Sequence, residues 1–205
     1  MIKKYLFLLA LITSYQVFSQ EIYINAGKNY TKYNYKNALL QSSSNLQSGT
    51  GNSYEVGITK PFTNEHVLYG LGISLNEYNA IGGTSASSYR WDTQYLGAKA
   101  NIYYSFFPNS KNINLLVNFG VDGSTIIYGK QEIDGTYYDL IHQKEFSGIW
   151  IGSSAGVQVK YQIESFGYLS LDYSVIQNLN VSNTSKEKVS FSTQQIALGF
   201  HFPIN

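Results

Sequence analysis

Residues 67–75, VLYGLGISL, place Val67, Tyr69, Leu71, Ile73 and Leu75 on one side of an extended chain and Leu68, Gly70, Gly72 and Ser74 on the other. A period of two is the signature of a β-strand with two different faces. The pattern recurs along the chain in SYEVGIT, YLGAKANIYYSF, INLLVNFGVD, IWIGSSAGVQVKY, LSLDYSV and QIALGFHF, with a weaker first instance in EIYINAGKNY. These segments predict eight strands.

The two faces are chemically sorted. The apolar face admits only Lys28 and Ser153 as polar intrusions. The opposite face carries Glu55, Lys99, Asp122, Lys160 and Asp172 among many Gly, Ser and Asn. In a soluble up-and-down barrel the apolar face points inward; in a transmembrane barrel it points outward to lipid. A water-facing surface is normally dense in Lys and Glu. The small, sparsely charged face here suits a narrow lumen instead. The expected fold is all-β, an eight-stranded antiparallel up-and-down transmembrane β-barrel over residues 20–205, with a lipocalin-like soluble barrel as the alternative.

The gaps between strands alternate. The stretches after the first, third, fifth and seventh strands are long and polar; KPFTNEH, FPNSKN and QIESFG are short. Outer-membrane barrels have short periplasmic turns and long outer loops, which predicts both termini on the periplasmic side. Phe62, Tyr104, Phe106, Tyr161, Phe166 and Phe202 fall near the short turns and form a candidate aromatic girdle.

Composition narrows the classes. Only 13% of the 205 residues are charged and 16% are aromatic, including 19 tyrosines, against about 25% charged in an average soluble domain. Net charge is +1 with no long basic run, so no nucleic-acid partner is expected. The absence of cysteine rules out disulfides, thiolate metal sites and a lipidated N-terminal cysteine. Lys3 and Lys4, the apolar run Tyr5 to Ile12, and Val17 and Ser19 before Gln20 read as a secretory signal peptide over residues 1–19.

The signal peptide, the eight alternating strands and the terminal LGFHF resemble the small outer-membrane β-barrel family that includes PorT-like proteins, and are similar in architecture to OmpA- and OmpX-type barrels. YLGAKANIYYSF resembles the family's fourth-strand segment and LSLDYSVIQNLN its seventh. Pro203, Ile204 and Asn205 follow Phe202, whereas such barrels commonly end on the aromatic itself. The resemblance implies Gram-negative outer-membrane residence and a tie to secretion or envelope assembly as one alternative. The fold family is functionally mixed, so the resemblance carries no role by itself.

An eight-stranded barrel is just wide enough for its side chains to fill. Glu55, Lys99, Asp122, Lys160, Asp172 and Trp150, with Tyr95 and Tyr103, are the expected lumen plug. Buried charges need partners, so Lys99 is expected to meet Glu55, Asp172 or both. Catalysis is not expected. His142 with Asp139 and Ser147 is the only local constellation, and it lies on an exposed hairpin, where a hydrolytic or lipid-modifying enzyme would need a nucleophile and base held together. Metal binding by His142, Asp139 and Glu145 is no better supported, and no cofactor is expected.

That leaves the outer loops as the working surface, with surface binding, adhesion or an envelope-structural role as the leading function. Tyr30, Tyr33 and Tyr35 in the first loop and Tyr89-Arg90-Trp91 ending the second are exposed aromatics suited to glycan, peptide or lipopolysaccharide, or to an upper girdle. The expected partners are outer-membrane lipid or lipopolysaccharide and an extracellular or envelope protein. In the third loop Asp134-Gly135 predicts a two-residue hairpin turn. The hairpin should protrude beyond the membrane and present Tyr128, Tyr137, Tyr138 and His142 as a contact surface, its backbone edge open to strand addition. Parity then demands an extra residue between the flanking strands, expected as a β-bulge at Gly129 or Gly148.

Overall fold

The computed structural model describes residues 20–37, 39, 46–62, 64–84, 87–108, 110, 112–163 and 166–204. The expected signal peptide, 1–19, lies outside the described residues, as does most of the Ser/Asn-rich tip of the first loop. Ten strands form: β1 (Gln20–Lys36), β2 (Leu46–Pro61), β3 (Val67–Glu77), β4 (Ala80–Thr84), β5 (Ser87–Ser105), β6 (Ile113–Ile133), β7 (Thr136–Asp139), β8 (Ile149–Ile163), β9 (Gly167–Asn180) and β10 (Lys188–Ile204). Eight of them close a ring, β1–β2–β3–β5–β6–β8–β9–β10, each antiparallel to its neighbours. The ring is sealed by the pairing of β1 with β10 from Gln20↔Ile204 to Lys36↔Lys188. Closure leaves no edge in the ring, which is the condition for strands to stand in lipid.

The apolar face points outward. Leu71 and Ile73 are 51% and 60% exposed, while Ser74 between Ile73 and Leu75 is buried inside. This settles the choice against a soluble barrel, whose apolar face would fill the interior. On β3 the outward apolar run Val67–Leu75 ends at Glu77, and on β5 Leu96–Tyr104 ends at Gln94. Each run is nine residues, within the roughly 9–11 that a tilted strand needs to cross a bilayer. Lys28 marks the same boundary on β1, donating to Asn52 Oδ1 at 2.6 Å, and Asn52 in turn donates to Glu77 at 2.8 Å. At the opposite, short-turn end Phe62, Tyr104, Phe106, Tyr161 and Phe166 are exposed, with Phe62 packed against Tyr69 and Phe166 against Phe202.

At the long-loop end much of the expected loop is strand. β1 runs to Lys36, β4 forms a hairpin with β5 and also pairs β2, and β6 runs to Ile133 before β7 turns back beside it. Asp134 and Gly135 both have positive φ, +47° and +82°, the geometry of a tight two-residue turn.

The expected bulge is elsewhere. Gln94 pairs with Tyr128 and Tyr95 with Ile126, so Ile127 is the extra residue, and it lies between β5 and β6 rather than at Gly129 or Gly148. Ile127 and Tyr128 consequently both point outward, and the inward set on β6 switches from even to odd numbers above them. Odd does pair with odd across β6 and β8, as in Val121↔Ser153. The odd count is absorbed by residues 140–148, which leave the ladder and fold over the barrel mouth. Leu140 and Phe146 are buried there. Gly129 lets this segment approach: a Cβ on it would meet Leu140, whose N–H donates to the Gly129 carbonyl at 3.0 Å. Gly148, at φ +91°, turns the chain into β8.

Candidate functional site

The lumen is filled in two layers. In the layer nearer the short turns, Lys99 Nζ meets Glu55 Oε2 at 3.1 Å, and the Tyr23 hydroxyl donates to the other Glu55 oxygen at 2.6 Å. The Tyr23 ring lies over Gly57 and Gly72, where any Cβ would collide with it, so the lumen's small residues make room for a large one. Asp122 is the cross-strand neighbour of Lys99 and packs on Gly152. Asp172 takes hydrogen bonds from Gln158 at 2.6 Å and Ser170 at 2.8 Å. Of the two expected partners of Lys99, Glu55 is the one in ion-pair contact.

Lys160 is only 4% exposed and pairs with Glu21 at 2.6 Å. Glu21 was not among the expected lumen residues. It adjoins the expected cleavage site, yet parity with Tyr23 and Asn25 puts it on the inner face. His201 also belongs to this group, with Nδ1 3.3 Å from Glu21, Nε2 3.1 Å from the Ser170 hydroxyl, and its ring stacked on Tyr23. Free space beside Lys99 amounts to about 20 Å³, little more than the roughly 10–15 Å³ that one water requires.

The upper layer is aromatic. Tyr33, Tyr78, Trp91, Tyr95, Phe146, Trp150 and Phe191 form a buried cluster across the mouth. Trp150 is fully buried, its indole N–H donates to the Phe146 carbonyl at 2.8 Å, and its ring lies 4.9 Å from Phe191. Two expectations are corrected here. Tyr33 and Trp91 are not exposed loop aromatics: both are buried, because β1 and β5 continue past the membrane and keep their inward parity. Of the other loop aromatics, Tyr30 points outward and Tyr35 and Tyr89 are half-buried at the rim. Arg90 is exposed and paired with Asp92 at 2.6 Å.

The hairpin carries its four expected residues at the surface. Tyr137 is 62% exposed, Tyr128 and Tyr138 are also exposed, and the Lys130 ammonium lies 5.6 Å from the Tyr128 ring centre and 5.8 Å from that of Tyr137. Such cation–π contacts are worth about 0.5–1 kcal/mol at exposed sites. Among the described residues β7 pairs only with β6, which leaves its other edge open. Ile133 and Thr136 flank the turn as a bonded pair, so the N–H of Tyr137 points away from β6. His142 sits 3.0 Å from Asp139 with its side chain 85% exposed. The Asp139 carboxyl is held below the usual carboxylate range, first by the Ile141 N–H at 2.7 Å and then by His142. Among the described residues no three His, Asp or Glu side chains gather as metal ligands.

No family model matches the chain, and no curated protein matches it in sequence. Similarity emerges in three dimensions. The outer membrane protein OprG of Pseudomonas aeruginosa superposes with a TM-score of 0.53 at 11% identity, over 90% of this chain and 96% of that one. A major outer membrane protein from Thermus thermophilus superposes with a TM-score of 0.50 at 11% identity, over 90% of this chain and all of the other. At such identities the likeness speaks to architecture, and together with the outward apolar band it gives this chain the fold of the small outer-membrane β-barrels.

Proposed function

We propose that the protein is a non-enzymatic outer-membrane barrel, closed to solutes, that turns its long-loop end to the outside and works by binding there. The observation that carries this reading is the open edge of β7, flanked by Tyr128, Tyr137 and Tyr138. An extended segment of a partner protein adds to such an edge through main-chain hydrogen bonds, with the tyrosines gripping its side chains. The filled lumen leaves no path for a transported solute, which is why binding is favoured over transport.

Because the chain has no cysteine, orientation is open to single-site labelling. A membrane-impermeant maleimide should label Thr136→Cys on intact cells and spare Asn64→Cys until the cells are opened. The converse pattern would place the long loops in the periplasm and turn the reading toward a PorT-like assembly or secretion role. A photo-crosslinking amino acid at Tyr137 should trap an extended partner. Tyr137→Pro should abolish that capture without costing a ladder bond, since the lost N–H is the one pointing outward. Capture that survives the proline removes strand addition from the account.

A further inference from the structure

Between the aromatic plug and the rim lies a cavity of about 290 Å³, at the small end of the range that holds organic ligands. Trp91 and Phe146 form its floor, their rings 5.1 Å apart and edge to face, and Tyr35 and Tyr89 stand as walls, each 6.4 Å from the Trp91 ring. Two carboxylates, Glu145 and Glu187, share the lining.

Neither carboxylate forms an ion pair among the described residues. The nearest lysines in sequence, Lys144, Lys186 and Lys188, are exposed, and Lys188 donates to the Asn183 carbonyl. Both acidic residues are positioned by their own backbones. Glu187 is pinned through Asn183 at 2.8 Å and Ser185 at 2.9 Å, and the Glu145 carbonyl takes a bond from Asn180 at 3.0 Å. The Tyr35 hydroxyl donates to Glu187 at 2.5 Å. Burial, and then Glu187, push that phenol up to about 12, so it remains a neutral donor. The Trp91 indole N–H is buried with no partner among the described residues, and the residue is only 7% exposed.

We infer that this cavity binds an organic cation, an ammonium or guanidinium group on a short hydrocarbon stem, with the stem against the aromatic rings and the charge between Glu145 and Glu187. The chemistry follows from the walls. Aromatic faces attract cations within about 6 Å of the ring centre. Half-buried carboxylates lacking a cation gain from one carried on an apolar stem that packs against the rings, and guanidinium, more weakly hydrated than ammonium, gives up less water to reach them. An anion or a neutral sugar would leave both charges uncompensated. The cation arrives either as a free amine or as a Lys or Arg side chain of a peptide. This site is separate from the β7 edge and its occupation does not depend on strand addition.

The test is calorimetric titration of the refolded full chain in detergent with n-butylguanidinium, n-butylammonium, n-butanol and the blocked tripeptide Ac-Ala-Arg-Ala-NH2. Saturable binding of the two cations at about 1 mM is expected for ligands of this size, with none for n-butanol. Glu187→Gln and Glu145→Gln, which keep the shape and the acceptor for Tyr35, should each weaken binding at least tenfold while heat-modifiable migration stays unchanged. If the tripeptide binds as well as the free guanidinium, the cavity reads side chains; if only the free cations bind, it reads solutes. The inference is overturned if neither cation binds, if n-butanol binds equally, or if both amide variants bind as the native chain does. None of these results bears on capture at Tyr137, so the two readings fail separately.

Discussion

Around Lys99 and toward the short turns, the lumen is filled by charges in contact: Lys99 with Glu55, Lys160 with Glu21. Toward the long loops it is filled by aromatic rings, with Trp150 and Phe191 at the centre. Both layers fill the lumen, and they do so by different physics. In the polar layer each charge has lost its water and depends on one or two partners, so removing a partner leaves an uncompensated ion. In the aromatic layer no single contact matters much, but a missing ring leaves a hole that the β-ladder cannot collapse to fill. The polar layer is therefore specific in its pairs, and the aromatic layer is specific in its volume.

The largest expected effect tests volume. Trp150→Ala should cost about 4 kcal/mol, read as a lowered urea midpoint for unfolding from lipid vesicles. Next comes a broken pair. Lys160→Met leaves Glu21 buried beside His201 and should cost about 3 kcal/mol. Adding Glu21→Gln to it should return much of that loss, because no orphaned charge remains. No such rescue should exist for Trp150→Ala by any change in the polar layer. If the double variant is no better than Lys160→Met, the polar layer is held by packing too and the contrast collapses.

The contrast also explains what was legible in the sequence. Alternation at Leu71, Gly72 and Ile73 announces which face meets lipid, because lipid tolerates no error over a whole strand. Glu55, Lys99 and Asp172 are found by the same parity. Their charges narrow the partner of Lys99 to Glu55 or Asp172 but do not choose between them, since parity tells the face of a strand and says nothing about which residue across the lumen lies at the same height. Trp150 and Tyr95 of the aromatic layer are found by that parity as well, and the rest of the layer was hidden for a different reason. Beyond the membrane the outward positions of β1, β5 and β10, such as Asn34, Arg90 and Ser192, become polar, so the two-residue contrast fades and the strands read as loop. Tyr33, Trp91 and Phe191 nonetheless sit at inward positions continuous with Tyr23, Tyr95 and His201. Extending the register beyond the apolar band would have found them. Phe146 arrives from a segment with no period at all, and nothing in its neighbours announces it.

Conductance separates the layers without reference to stability. Planar-bilayer recordings of the native chain should show no steady current, given a free space of about 20 Å³ beside Lys99. With the ring layer as the tighter seal, Lys99→Ala should stay closed, and Trp150→Ala combined with Phe191→Ala should give brief, small openings. Openings from Lys99→Ala alone would assign the seal to the charges.

The smallest effect concerns a charge at the margin of the aromatic layer, on the hairpin tail. Leu140 enters the plug from the tail of β7, and the turn that delivers it is stapled by Asp139, which accepts the Ile141 N–H at 2.7 Å and lies 3.0 Å from His142. The Asp139 carboxyl is lowered by these contacts, the Ile141 N–H first. A carboxyl with a depressed pKa in the folded state contributes stability above its unfolded value, about 3.9, and loses it as pH falls through the folded value. The Ile141 amide resonance should therefore shift with a midpoint below 3.9, and Asp139→Asn should remove that midpoint. Asp139 is exposed, so the staple should melt locally while Leu140 stays in place. The near-ultraviolet circular dichroism of the Trp150 cluster should then remain flat across the same pH window. A parallel change in that signal would mean that the tail and the plug unfold as one unit, and the aromatic layer would then owe part of its integrity to a charge after all.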